Sequence, residues 1–345
     1  MERNDRIALL AELGDYLLQA PDAELSAILD KAYLDNRWFT RENTLQALSA
    51  IAKAFLNRDR LLHWVSGYTL AGPLHPGKTI GLVMAGNIPL VGFQDWLCVF
   101  VAGHRALVKC SEKDKVLLPF LVGKIGEWAF ESWEYTEFLS ESDKLVGFDA
   151  VIATGSNNTA RYFEQYFRKY THIIRRNRNS VAVLDGCETP AELLALGRDI
   201  FSYFGLGCRN VSKLYVPRQY DFSLLLEILH EYRALIQHDK YKNNFDYNLT
   251  LFVLNRIRYL NTGSLLLKED AALQSRIASI HYEYYDDQRG LLAELDRRNA
   301  EIQCVVGHMV LENWTVLPFG KSQEPGLADY PDGVDIMKFL SQLEH

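Results

Sequence analysis

The 345-residue chain is short of cysteine and of long apolar runs, and each shortage removes a class of protein. Five cysteines, an odd number with no Cys-x-x-Cys pair, form neither a disulfide framework nor a zinc site. A reducing cytoplasm is the compartment that usage suggests. No apolar stretch reaches the roughly 18 residues that a membrane-spanning helix needs. The opening Met1-Glu2-Arg3-Asn4-Asp5-Arg6 leads into an amphipathic helical pattern with acidic residues inside it, which is unlike a secretory signal. Nine histidines include no His-Glu-x-x-His and no pair at ligand spacing, so no metal is expected. Gly-x-Gly-x-x-Gly is missing too, so a standard Rossmann dinucleotide fingerprint is not supported. Positive charge is in deficit: a net charge of −7 argues against broad binding to nucleic acid or anionic membrane, with Arg175-Arg176-Asn177-Arg178 as the one basic patch.

What is present is ordinary globular composition, 48% hydrophobic and 23% charged, in a chain long enough for two cores. Residues 1–70 carry helical periodicity, in Ile7, Leu10, Leu13 and Leu17 and again in Leu45, Leu48, Ile51 and Phe55. From Lys78 short apolar runs alternate with helical stretches, at Thr79 to Ala85, Ala106 to Lys109, Ala150 to Thr154 and Val181 to Leu184. That alternation is the mark of parallel βαβ units. A second set of strands is expected at Lys213 to Val216, Asn248 to Leu254, Ser279 to Tyr284 and Ile302 to Val306. The fold class is α/β, with two α/β domains on parallel sheets and a helical N-terminal segment. The expected divisions are a helical lead-in over 1–70, a nucleotide-binding domain over 71–185 and a catalytic domain over 186–345.

Three strand-turn-helix motifs could carry chemistry, and each has a purely structural alternative. In Gly81-Leu82-Val83-Met84-Ala85-Gly86-Asn87-Ile88-Pro89, Asn87 either donates its amide to a developing oxyanion or caps the following helix. In Ala106-Leu107-Val108-Lys109-Cys110-Ser111-Glu112, Lys109 closes a strand and Glu112 begins the next helix. The pair either holds an adenosine ribose or is a snorkelling lysine beside a first-turn glutamate. In Ala153-Thr154-Gly155-Ser156-Asn157, free N–H groups at a helix start either cradle a pyrophosphate or are simply capped. A fourth motif is Gly205-Leu206-Gly207-Cys208-Arg209, a thiol after two glycines and before a cation. A thiolate is the attacking species, and neighbouring positive charge favours it. Cys98 and Cys304 read as packing, and Cys110 and Cys187 as element ends.

In this order, Gly-Asn-Ile-Pro, Lys-x-Ser-Glu, Thr-Gly-Ser and Gly-x-Gly-Cys, the sequence resembles the aldehyde dehydrogenase superfamily, and within it the LuxC-type acyl-CoA (fatty-acid) reductases. The likeness runs from about residue 78 to about 216 and returns over Pro325–Asp335. The resemblance implies that Cys208 is the acyl-accepting nucleophile. It makes Asn87 and the Cys208 backbone N–H the oxyanion hole. It places Lys109, Ser111 and Glu112 at the adenosine ribose and Thr154, Gly155 and Ser156 at the nucleotide phosphates. Phe319-Gly320 is similar to an aromatic that packs near the nicotinamide. Hydrolytic members carry a general-base glutamate where this chain reads Arg175-Arg176-Asn177-Arg178-Asn179-Ser180. Its absence fits an enzyme that delivers hydride to a thioester and activates no water.

The implied function is NAD(P)H-dependent reduction of an acyl thioester, acyl-CoA or acyl-protein, to an aldehyde through a Cys208 acyl-enzyme. NADPH is favoured by the relatives, whereas a Glu112 carboxylate at the ribose would repel a 2′-phosphate and favour NADH. An acyl-transferring protein partner and a homo-oligomer are compatible with this reading. CoA-acylating aldehyde oxidation and a non-catalytic scaffold subunit are the alternatives.

Overall fold

The computed structural model describes residues 1–70 and 77–344. The expected domain start at residue 71 lies outside them. The chain divides into two compact units, Met1–Asn177 with Pro325–His345, and Arg178–Glu324.

Four helices open the first unit: α1 (Arg3–Leu18), α2 (Ala23–Asp35), α3 (Arg41–Phe55) and α4 (Arg58–Ser66). Asp22, Thr40 and Asn57 start α2, α3 and α4 by accepting backbone N–H groups three residues ahead, as short polar caps do. There follow β1 (Thr79–Val83), α5 (Phe93–Ala102), β2 (Arg105–Lys109), α6 (Leu117–Trp128), β3 (Thr136–Phe138), β4 (Ala150–Thr154), α7 (Asn157–Phe167) and β5 (Thr171–Arg175). The five strands pair in parallel in the order β3-β2-β1-β4-β5. Every residue of α5 is buried. The opening helices are no detached lead-in. Ile7, Leu10, Leu13 and Leu61 share one core with Ile80, Leu82 and the apolar residues of α5.

The second unit runs β6 (Asn179–Val183), α8 (Pro190–Phe201), β7 (Val211–Pro217), α9 (Ser223–Leu229), α10 (Asp239–Leu254), β8 (Leu260–Asn261), β9 (Leu266–Glu269), β10 (Ser279–Tyr285), α11 (Gln288–Arg297), β11 (Ile302–Val306) and β12 (Val316–Leu317). Its sheet has the order β12-β11-β6-β7-β10-β9-β8, parallel except for the β8/β9 pair.

Three expectations are corrected. The strand at Val181 to Leu184 belongs to the second sheet, between β11 and β7, and β5 takes the outer place in the first. The boundary therefore falls at Asn177/Arg178 and not at 185/186. Asn248 to Leu254 is the end of helix α10 and not a strand. Its run of apolar and β-branched residues mimics a strand, but Tyr241, Phe245, Asn248 and Phe252 are buried at helical spacing while Val253 and Leu254 are 58% and 74% exposed. Finally, Pro325–His345 returns to the first unit. Its helix α12 (Ile336–Ser341) buries Ile336, Met337 and Leu340 completely in the first core. The Trp64 indole N–H donates to the Tyr330 hydroxyl at 3.0 Å, and the Tyr68 and Tyr330 hydroxyls lie 2.8 Å apart.

Candidate active site

In the first sheet β1 is the switch strand: β2 and β3 lie to one side of it and β4 and β5 to the other. Open parallel sheets bind ligands outside the carboxyl ends of the strands at such a point. At that end Asn87 lies in the loop after β1, Lys109 closes β2 with Ser111 and Glu112 after it, and Thr154 closes β4 with Gly155 and Ser156 after it. One sheet edge thus gathers every site residue that the sequence assigned to this unit.

The loop after β1 is held at several points. The Met84 N–H donates to the Lys109 carbonyl at 3.1 Å, extending the β1/β2 ladder by one residue. A Cβ on Gly86 would lie 2.7 Å from the Ser111 hydroxyl and 3.1 Å from the Asp114 nitrogen, so only glycine allows this approach. Leu90 has φ +57° and donates its N–H to Asp114 Oδ2 at 2.7 Å. Helix α5 is capped by Gly92, so Asn87 is not the cap that its sequence position allowed. Burial pushes the Asp114 carboxyl up to about 6, against the backbone N–H groups of Leu90 and Leu117 that favour its charged form.

Lys109 ends β2 as expected, and its ammonium donates to the carbonyls of Asp143 at 2.7 Å and Glu141 at 3.3 Å. Glu112 does not begin a helix. It is an exposed residue in the turn that brackets Ser111 and Asp114 in an isolated bridge, and α6 starts only at Leu117. Four charged residues in succession, Glu112-Lys113-Asp114-Lys115, have no apolar side to lay on the sheet, which delays the helix to the Val116-Leu117-Leu118 run. At the third motif Ser156 caps α7 by accepting the Thr159 N–H at 3.2 Å. A Cβ on Gly155 would meet the Thr159 Cβ at 2.9 Å.

Only Arg175 of the basic patch is buried; Arg176 and Asn177 are exposed. Arg175, 4% exposed, reaches both Asp95 carboxylate oxygens through Nη1 at 2.6 Å, while its Nε and Nη2 are buried without partners among the described residues. Arg176 pairs with Glu164, and Arg178 donates to the Ile302 carbonyl.

Cys208 stands alone among the sequence-named catalytic residues on the second unit, in the turn before β7 and therefore at the amino edge of that sheet. It is half-buried and not sealed in apolar packing. Tyr203, Phe204 and Gly205 before it have φ of 51°, 59° and 75°, a left-handed run that costs strain at the two aromatics. Asn210, 3% exposed, holds it. Its side-chain oxygen accepts the Gly207 N–H at 2.8 Å, and its amide nitrogen donates to the carbonyls of Ser202 at 2.8 Å and Asp199 at 3.1 Å. The Ser180 hydroxyl donates to the Cys208 carbonyl at 2.9 Å and lies 3.0 Å from Cys304 Sγ. Because that hydroxyl has already committed its one proton, the thiol of Cys304 is the donor in the second contact. Burial raises the Cys304 pKa and keeps it a thiol. Arg209 Nη1 donates to the Ser322 carbonyl at 3.4 Å. Fully buried Asp199, whose pKa burial raises, accepts the N–H groups of Gly320 and Ser322.

The opposite edge of that sheet has features that the sequence did not disclose. His308 sits between Asp185 at 2.8 Å and Glu192 at 3.3 Å, and the Asp185 carboxylate chiefly raises its pKa. Asp185, Glu188 and His308 bring three ligand-type atoms within 4.8 Å of one another. Both Glu188 oxygens are already occupied, by the Asp185 and Gly186 N–H groups and by the Tyr220 hydroxyl. A cavity of about 470 Å³ lies beside His308, lined by Met309, Leu311, Trp314, Val316 and Phe319. Phe319 is buried and meets the His308 ring edge-on at 5.9 Å.

Asn210, Ser180, Asp199 and Asp114 are the supporting residues that sequence reasoning missed. Asn210 was within sight, two residues past Cys208. Ser180 and Cys304 approach Cys208 only through strand pairing, across 28 and 96 residues of sequence, and nothing local marks them.

No family model matches the sequence. Among curated proteins it is similar to long-chain acyl-protein thioester reductase 2 of Photobacterium leiognathi, 22% identical over 241 residues, covering 63% of this chain and 50% of that protein. The chain spans about half the length of that relative. Among solved structures it superimposes on a mutant of aldehyde dehydrogenase C of Pseudomonas syringae, complexed with NAD+ and octanal, with a TM-score of 0.63 at 12% identity, over 88% of this chain and 71% of that one. An NADP-dependent enzyme of E. coli gives a TM-score of 0.64 at 11% identity, over 89% and 73% of the two chains. The chain has the aldehyde dehydrogenase fold. Its likeness in sequence is to the one named acyl-protein thioester reductase. Among the described residues no helix is long and apolar enough to cross a membrane.

Proposed function

We propose that this protein reduces an acyl thioester to an aldehyde with a reduced nicotinamide, through an acyl-enzyme on Cys208. The observation that carries the reading is the construction around that thiol: a half-exposed residue three positions after the left-handed run Tyr203–Gly205, in a turn whose backbone is fixed by buried Asn210 and by Ser180. Strain held in place at one turn is characteristic of functional sites. The likeness to a named acyl-protein thioester reductase supports the same chemistry.

In this reading the Cys208 thiolate adds to the thioester carbonyl, and the family resemblance assigns the developing oxyanion to the Asn87 amide and the Cys208 N–H. That addition forms the C–S bond to Cys208; collapse of the tetrahedral oxyanion re-forms the carbonyl and breaks the C–S bond to the carrier, which leaves as a thiolate and takes one proton from solvent. The residues at the first sheet edge fit a nucleotide: the Thr154-Gly155-Ser156 turn presents the N-terminus of α7 beside the switch strand, and Lys109 commits two ammonium protons to carbonyls and keeps a third. When bound, the reduced nicotinamide supplies the hydride that the acyl-enzyme carbonyl accepts. The oxyanion hole then holds the thiohemiacetal alkoxide until the C–S bond breaks, releasing aldehyde and restoring the Cys208 thiolate.

The test is to give purified protein NADPH or NADH with acyl-CoA of several chain lengths and to follow nicotinamide absorbance. Consumption by wild type with stoichiometric aldehyde, abolished in Cys208→Ala at unchanged folded content, is the expected result. Consumption that survives Cys208→Ala removes the acyl-enzyme, and no consumption with any donor favours the scaffold reading. Activity confined to aldehyde, CoA and NAD(P)+ favours acylating oxidation.

A further inference from the structure

We propose that Asp114 is the positioning residue of the Asn87 loop, fixing where the Asn87 amide stands by holding the loop's strained end. The inference deepens the proposed function, on which the catalytic consequence rests, whereas the structural consequence stands without it.

The nine residues from Met84 to Gly92 join β1 to α5 without regular structure. At one end the Met84 N–H is tied to the Lys109 carbonyl, and Gly86 is pressed against the Ser111–Asp114 turn. At the other end Leu90 sits at φ +57°, where an L-residue with a branched side chain is strained. Its N–H points to Asp114 Oδ2 at 2.7 Å and its carbonyl accepts the Phe93 N–H at 2.9 Å. Asn87 lies midway, one residue after the glycine contact and three before the strained leucine. The same short turn after β2 therefore grips the Asn87 segment from both sides, by close contact at Gly86 and by the Asp114 carboxylate at Leu90.

Asp114 bears the marks of a residue kept for such a task. Its Oδ1 is sealed from solvent and has no hydrogen-bond partner among the described residues. An acceptor oxygen buried without a donor costs stability, and surface turns commonly place such groups in water. Asp114 Oδ2 accepts the N–H of left-handed Leu90, and the Leu117 N–H also favours the charged carboxylate. Leu90 is itself 5% exposed, so water does not replace the carboxylate as acceptor without opening the loop.

The experiment has two readouts, in the full-length chain. Hydrogen exchange of the peptide spanning residues 84–92 is compared in wild type, Asp114→Ala and Asp114→Asn. The Leu90 amide is expected to be protected by about a hundredfold or more in wild type, to lose most of that protection in Asp114→Ala with the rest of the first unit unchanged, and to recover it in Asp114→Asn, whose amide oxygen still accepts. Steady-state thioester reduction gives the second readout. An oxyanion donor acts only in the transition state, so Asp114→Ala should lower kcat by about tenfold or more at a KM within about twofold, and Asp114→Asn should rescue most of it. Unchanged exchange over 84–92 in folded Asp114→Ala overturns the proposal. So does a Leu90 amide unprotected in wild type, which decides the matter even where Asp114→Ala does not fold. If wild type lacks reductase activity, the proposed function fails while exchange still judges Asp114. Loosening of 84–92 with kcat intact overturns the catalytic consequence.

Discussion

Single residues in this protein are most telling where a polar group is buried for a local purpose. Asp114 is the sharpest case. Burial lifts its carboxyl from 3.8 to about 6, so between those values the folded chain keeps a proton that the unfolded chain has released. Its contribution to stability is therefore complete below about pH 4 and is lost as the pH rises through about 6. Above pH 7 the buried charge costs on the order of 3 kcal/mol by that difference. Asp114→Asn keeps the acceptor and removes the charge. It is expected to be more stable than wild type at pH 7.5, with the advantage shrinking at pH 4, as urea midpoints at the two values would read. An equal difference at both would mean that the charge is not the source of the cost. Asn210 and Ser180 act in the same manner on the second unit, fixing the backbone that carries Cys208. Of these four only Cys208 is singled out by the sequence, as a thiol between Gly207 and Arg209. A buried aspartate or asparagine announces itself only through its partners.

Elements were legible where composition and periodicity agreed. The strands at Thr79, Ala106 and Ala150 form as read, although the helix after the second starts at Leu117 and not at Glu112. They were misread where a strand-like composition lay on a helical face, as in α10. The junction of β4 and α7 shows how tightly an element end can be specified. Gly155 leaves no room for a Cβ against Thr159 at 2.9 Å and Phe163 at 3.1 Å. Gly155→Ala must push α7 away from the turn, an overpacking that costs typically about 1–3 kcal/mol. If this turn receives the nucleotide phosphates, the variant should raise the KM for the nicotinamide several-fold with little change in the KM for acyl thioester. A KM for cofactor equal to wild type, in a variant destabilised as expected, would take the turn out of the binding site.

At the scale of the whole molecule, chain continuity and spatial grouping part company. Pro325–His345 follows the second unit in sequence but completes the core of the first, and Tyr330 fastens it there through Trp64 and Tyr68. Tyr330→Phe strands the buried Trp64 indole N–H, so a loss of about 1–3 kcal/mol is expected in denaturant unfolding of the first unit. A midpoint unchanged from wild type would show that solvent reaches the indole. The opening helices obey the same principle, since Leu10 of α1 and Leu61 of α4 share one core with Ile80 and Leu82 of β1.

The sequence by itself determined the α/β character, the order of its turn motifs and the residue types able to attack, donate and bind, because periodicity and local turn chemistry are written within a few residues. Tertiary structure alone decided which sheet each strand joined, that the chain's last segment returned to the first core, and which buried side chains hold the Asn87 loop and the Cys208 turn in place. Those outcomes depend on contacts between residues tens to hundreds of positions apart. Burial, strand pairing and the satisfaction of backbone polar groups select them collectively, and no local pattern encodes that selection.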